Sequence, residues 1–143
     1  MTGCRDCEPG SKRPTPHPGP RCATHHRAVT RARRKRAAAT RVQNTYGLDA
    51  DDYAALLDLQ GGACAICGRA TGKTRRLSVD HDHALAREHD HEEAKGCPMC
   101  VRGLLCNPCN KNVLGHLRDS IEALDRAAEY LRNPPWQRCI SSR

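Results

Sequence analysis

The reading of this chain turns on Leu77-Ser78-Val79-Asp80-His81-Asp82-His83 and, after a loop, Val101-Arg102-Gly103-Leu104-Leu105-Cys106-Asn107-Pro108-Cys109-Asn110. Leu77 and Val79 alternate with Ser78 and Asp80, the period of a half-buried strand. On a regular strand His81 faces away from Asp80. Cys106-x-x-Cys109 has an upstream counterpart in Cys64-x-x-Cys67, with 38 residues between the pairs. That gap exceeds an ordinary zinc-ribbon spacing, so something is housed inside it. A zinc held by Cys64, Cys67, Cys106 and Cys109 would give the stretch rigidity. Two strands and a helix would then gather Asp80, His81 and Asn110. An Asp-His step beside an Asn at a helix start suggests a metal-dependent nuclease site; the alternatives are a second structural zinc at Asp80-His81-Asp82-His83 and a plain helix cap at Asn110.

Composition supports a stapled fold. At 143 residues there is room for one modest domain and an appendage, and with no Phe and 3% aromatics a large apolar core is not expected. Ten cysteines supply the alternative. The first residues contain no apolar signal core and no run approaches membrane-spanning length, so a cytoplasmic setting with reduced thiols is expected. Zinc is then the better reading than disulfides for four Cys-x-x-Cys pairs.

The net charge of +8 is concentrated. Between Pro9 and Leu48 there are ten Lys or Arg and no acidic residue, and the rest of the chain is slightly acidic. Such a block calls for a polyanionic partner, most simply DNA. Within the arm, Cys4, Cys7 and Cys22 with either His25 or His26 give the four ligands of a tetrahedral zinc, the symmetrical spacing favouring His25. Pro14, Pro16, Pro18 and Pro20 keep the intervening loop irregular. From Arg27 onward, Ala and Arg predict a helix. It carries Arg27, Arg31, Arg33, Arg34, Lys35, Arg36 and Arg41 as candidate phosphate contacts. The bland alternative is a solvated linker helix.

The lead-in predicts a short helix opening at Asp49, with Asp51 and Asp52 at its positive end and Tyr53, Leu56 and Leu57 as core. Gly61-Gly62 ends it, and Gly68 permits the positive φ of a tight metal turn. Downstream, His89-x-His91 and Cys97-x-x-Cys100 form a further possible zinc set; the alternative is a reduced surface loop, or an exchange of roles with Cys106 and Cys109. A helix over His116 to Arg132 has Leu117, Ile121, Leu124, Ala128 and Leu131 on one face, expected to pack on the core or to form a homodimer seam. Trp136 is read as a cover over its end. Cys139 has no evident role.

Taken together, Tyr46-Gly47-Leu48, Gln60-Gly61-Gly62-Ala63-Cys64-Ala65-Ile66-Cys67-Gly68, Val79-Asp80-His81-Asp82-His83 and Val101 to Asn110 with Leu114-Gly115 resemble the recombination endonuclease VII family of His-Asn-His (HNH) nucleases. The resemblance spans roughly Thr45 to Pro135. It implies a small zinc-stabilised α+β fold with a ββα-metal (HNH) core, flanked by helices and preceded by the zinc knuckle and basic helix. The implied division is a knuckle over 1–26, a basic linker over 27–44, the endonuclease domain over 45–135 and a tail over 136–143. It also implies DNA cleavage, with Asp80 and Asn110 on a catalytic Mg²⁺ or Mn²⁺, His81 as general base, and His83 at the phosphate or orienting its neighbours. Asp82 would steady an imidazole. Preference for branched or distorted DNA comes from the resemblance alone. The sequence departs from the family at Val113, where members carry an acidic residue. The competing readings are a non-catalytic zinc-finger DNA-binding protein and a nicking enzyme of phage packaging or mobility.

Overall fold

The computed structural model describes residues 3–92 and 94–141. It is a small α+β structure. The first regular element is a long helix, α1 (Ala23–Tyr46), which starts directly after Cys22 and ends at Gly47, whose φ of 73° makes the left-handed cap. It buries no residue along its length. Only Val42 and Tyr46, near its end, pack on the core. The helix therefore runs through two of the three divisions drawn from sequence, at 26/27 and 44/45, and its first turn supplies His25. Met1, Thr2, Glu93, Ser142 and Arg143, which those divisions include, lie outside the described residues.

Helix α2 (Ala50–Leu59) is fixed at its start by a reciprocal cap. Asp49 accepts from the N–H groups of Asp51 and Asp52, and Asp52 accepts from the N–H of Asp49. Tyr53 is buried and donates its hydroxyl to the Leu77 carbonyl at 2.9 Å. Gln60, beyond the helix end, has a role that its place in the helical pattern does not reveal. Its amide oxygen accepts from Leu104 N–H at 2.8 Å, and its NH₂ donates to the Leu104 and Ala63 carbonyls at 2.9 Å. These bonds tie α2 to the sheet. Side-chain space at Gly103 is filled by Gln60, whose Oε1 would lie 3.0 Å from an added Cβ.

The sheet has two antiparallel strands, β1 (Ser78–His81) and β2 (Val101–Leu105). Ser78 pairs with Leu105, Val79 with Leu104, Asp80 with Gly103 and His81 with Val101. One residue, Arg102, is extra on β2, so a bulge sits opposite Asp80 and His81. The expected strict alternation fails here: Val79, Asp80 and His81 are all buried. A bulge re-aims neighbouring side chains, which is how adjacent Asp and His both leave solvent.

Between the strands lie α3 (His83–Glu88) and a single tight turn, Pro98–Cys100. After β2 the chain enters a wide, π-wound helical segment, Pro108–Gly115. Such winding is rare and recurs at functional sites. The core is formed by Leu48, Tyr53, Leu77, Val79, Leu104 and Leu105 together with Cys64 and Cys109. Two thiols of one cluster are thus core residues.

The single helix expected over 116–132 is interrupted. Arg118 and Asp119 both adopt left-handed backbone, φ 53° and 57°, and Ser120 then caps α4 (Ile121–Arg132) by accepting from Ala123 N–H. The cap competes locally with helix continuation. Packing of α4 is also slighter than expected: it buries no residue, Leu124 and Ala128 are half-buried, and Ile121 and Leu131 are 70% and 77% exposed. Trp136 is 62% exposed on α5 (Pro135–Ser141), a helix that the tail reading did not contain.

Candidate active site and metal clusters

Among the described residues, three groups of four Cys or His ligand atoms come together, each within 4.8 Å. The first is Cys4, Cys7, Cys22 and His25. Nδ1 of His25 lies 3.3 Å from Sγ of Cys4 and 3.4 Å from those of Cys7 and Cys22. His26, the alternative ligand, instead stacks on His17 at 4.2 Å. Burial of Cys4 opposes its ionisation but is outweighed by backbone N–H groups of Cys22 and Asp6 and by His25, which bring its thiol down to about 6.

The second group is Cys64, Cys67, Cys106 and Cys109, from the knuckle before β1 and the turn after β2. Gly68 takes φ 62°, and its N–H reaches back to the Cys64 carbonyl at 2.9 Å. Backbone N–H groups of Arg69 and Ala70 lower Cys67 to about 6, whereas burial and neighbouring thiols push Cys109 up to about 12. The turns are thus built to donate to sulfur, yet four thiols cannot all ionise side by side without a cation. Zinc is the ion suited to such a sulfur set.

The third group is His89, His91, Cys97 and Cys100, in the loop between the strands. Cys97 and Cys100 therefore do not replace Cys106 and Cys109. Nine cysteines lie in the three groups, and Cys139 is exposed outside them.

Beside the second group lies the candidate active site. Asp80 is 7% and His81 8% exposed. The His81 ring sits 5.3 Å from Tyr46 and 4.4 Å from the ring of His83, which is exposed at the start of α3. The Asp80 carboxylate accepts two bonds from Arg102, from Nε at 2.8 Å and from a terminal nitrogen at 3.2 Å. Arg102 also donates to Asp119 at 3.0 Å. These two partners were absent from the candidates read from sequence. Pairing Asp80 across a bulged hairpin is the signal that points to Arg102; Asp119 depends on the left-handed turn.

Asn110 is half-buried on the π-wound segment, directly after Cys109, and its N–H donates to the Cys106 carbonyl at 3.0 Å. Asp82 lies within electrostatic reach of the His83 imidazole. It caps α3, accepting from Ala84 and Leu85 N–H at 2.8 and 3.1 Å, and these bonds hold its carboxyl below the ordinary range. The seven basic residues from Arg27 to Arg41 are all exposed. Among the described residues no helix is long and apolar enough to cross a membrane.

The family model described as recombination endonuclease VII matches residues 39–133. Two curated relatives, both named Gene 59 protein, come from Mycobacterium phages D29 and L5. They are 47% and 46% identical over 143 residues, covering 98% of this chain and 79% of each relative. No solved structure matches the chain.

Proposed function

The chain belongs to the recombination endonuclease VII family, and from that membership we propose that it is a divalent-metal-dependent DNA endonuclease of the HNH type, hydrolysing phosphodiesters in branched or distorted duplexes. The observation that carries the reading is the buried Asp80–His81 step at the strand bulge, inside the matched region.

The donor chemistry suits a hard divalent ion. Asp80 is nearly buried and already holds a cationic group, the Arg102 guanidinium, so its surroundings accommodate positive charge at that carboxylate. Asp80 and the Asn110 side-chain oxygen are the residues that would hold Mg²⁺ or Mn²⁺. Bound there, the ion would supply Lewis-acid stabilisation of charge on the phosphoryl and leaving 3′-oxygens.

The remaining work falls to side chains. His81, as general base, takes a proton from the attacking water. Tyr46 and His83 flank its ring and limit its rotation. His83, being exposed, is available to the scissile phosphate. The second cysteine group, loaded with zinc, fixes the distance between the knuckle before β1 and the turn carrying Asn110. The exposed basic face of α1 tracks phosphates and supplies affinity without base reading.

A cleavage assay tests this directly. Wild type and His81→Ala are incubated with Mg²⁺ on four-way junction, nicked, linear and supercoiled DNA at one salt concentration. The wild type is expected to cut the junction fastest, and His81→Ala to bind equally while cutting about a hundredfold more slowly or less. Equal binding with no cleavage by either protein would instead make the chain a DNA-binding module.

A further inference from the structure

His89, His91, Cys97 and Cys100 have no place in the mechanism above, yet their arrangement is that of a built site. Nδ1 of His89 lies 3.3 Å from Sγ of Cys97 and 3.4 Å from that of Cys100, and the two sulfurs are 3.4 Å apart. Nε2 of His91 is buried with no partner in regular hydrogen-bond geometry, while the His91 imidazole bears on the Cys97 thiol. A buried imidazole nitrogen so placed is costly unless it meets an ion. Two imidazoles and two thiols in His-x-His and Cys-x-x-Cys spacing are a tetrahedral nitrogen and sulfur donor set.

The backbone shows what this group would hold in place. Asp82 N–H donates to the Cys100 carbonyl at 2.8 Å, and His91 N–H to the Ala86 carbonyl at 2.9 Å, so both ends of the loop grip α3. Gly96 N–H donates to the Thr45 carbonyl at 3.0 Å. A Cβ placed on Gly96 would lie 3.4 Å from Tyr46 and 3.7 Å from Cδ2 of His81. The loop is thus one wall of the His81 pocket, and it carries little apolar packing of its own: Met99 is 75% exposed.

We propose that these four residues bind a third zinc ion, which braces the loop against His81. Ligation exchanges the two thiol protons to solvent and leaves both imidazoles neutral. The bracing half of the proposal rests on the nuclease reading; the binding half does not.

The test uses the full chain. Cadmium-loaded wild type is examined by cadmium NMR, where thiolate number orders the shifts, and zinc per chain is measured for wild type and Cys97→Ser/His91→Ala. Three resonances, for four-sulfur, three-sulfur and two-sulfur ligation, are expected, with three zinc ions in wild type and two in the variant. Two resonances, or equal zinc in both proteins, overturns the site, whatever the cleavage result and whether or not the variant folds. Single-turnover cleavage at saturating DNA should fall about tenfold or more in the variant, with DNA affinity kept. Loss of the ion with an unchanged cleavage rate overturns the bracing. A wild type that cuts nothing but gives three resonances removes the nuclease reading and leaves the metal site standing.

Discussion

Arg102 grips Asp80 through Nε and a terminal nitrogen, and that same terminal nitrogen reaches Asp119. Its side chain is 34% exposed while that of Asp80 is 9% exposed, so the carboxylate depends on the guanidinium more than the reverse. Arg102→Ala should destabilise the fold by about 2 kcal/mol, below the full value for a buried pair because Arg102 meets solvent. Mn²⁺ should restore part of that loss if Asp80 is a metal ligand, since the ion replaces the missing positive charge. Urea unfolding with and without Mn²⁺ measures both effects. Arg102→Lys, which cannot bond bidentately, should fall between.

Asp82 serves α3 as a cap, so Asp82→Ala should cost about 1 kcal/mol and Asp82→Asn much less. The pH dependence follows from its lowered carboxyl. A depressed folded value stabilises above the unfolded pKa of about 3.9 and is lost as pH falls through the folded value. The stability gap between wild type and Asp82→Ala should therefore be full at pH 6 and shrink on acidification, as read by thermal melts.

Zinc uptake at the second group should release protons. Without metal, Cys67 lies near 6 and Cys109 near 12, either side of the ordinary 9.0. The lowered Cys67 favours the metal-free fold above 9, a contribution lost as pH falls through about 6; the raised Cys109 favours it below 9 and is lost through about 12. At pH 7 at least one thiol remains protonated and must ionise to bind zinc. Calorimetric titration in two buffers of different ionisation enthalpy should show proton release, and apparent affinity should rise from pH 6 to 8.

Replacing Arg31, Arg34 and Lys35 of α1 with Gln should weaken DNA binding without changing single-turnover cleavage at saturating DNA. Each lost phosphate contact should reduce the slope of log affinity against log salt by about 0.9. Fluorescence anisotropy across a salt series reads this.

Elements with local chemical causes were legible in the sequence. Asp49 and Asp52 announce the α2 cap, Gly61 and Gly68 take the positive φ that their turns need, and Cys-x-x-Cys spacing marks the knuckles. What escaped depends on distant partners. The bulge at Arg102 arises from strand register, and it buries Asp80 and His81 together where alternation separates them. The break at Arg118–Asp119 defeats a good apolar helix pattern because Ser120 caps a new helix and Asp119 turns toward Arg102. Periodicity likewise offered the apolar stripe over 116–132 to the core or to a homodimer seam; Leu117, Leu124 and Ala128 are half-buried, whereas Ile121 and Leu131 stay exposed.

The central claim is that the Asp80–His81 step cuts DNA with a divalent ion. Its most direct test is single-turnover cleavage of a four-way junction, prebound without metal and started with Mg²⁺, in wild type and Asp80→Ala. The account predicts rapid cutting by wild type and a loss of at least about a hundredfold in Asp80→Ala with the junction still bound. Cleavage by Asp80→Ala at the wild-type rate would contradict it.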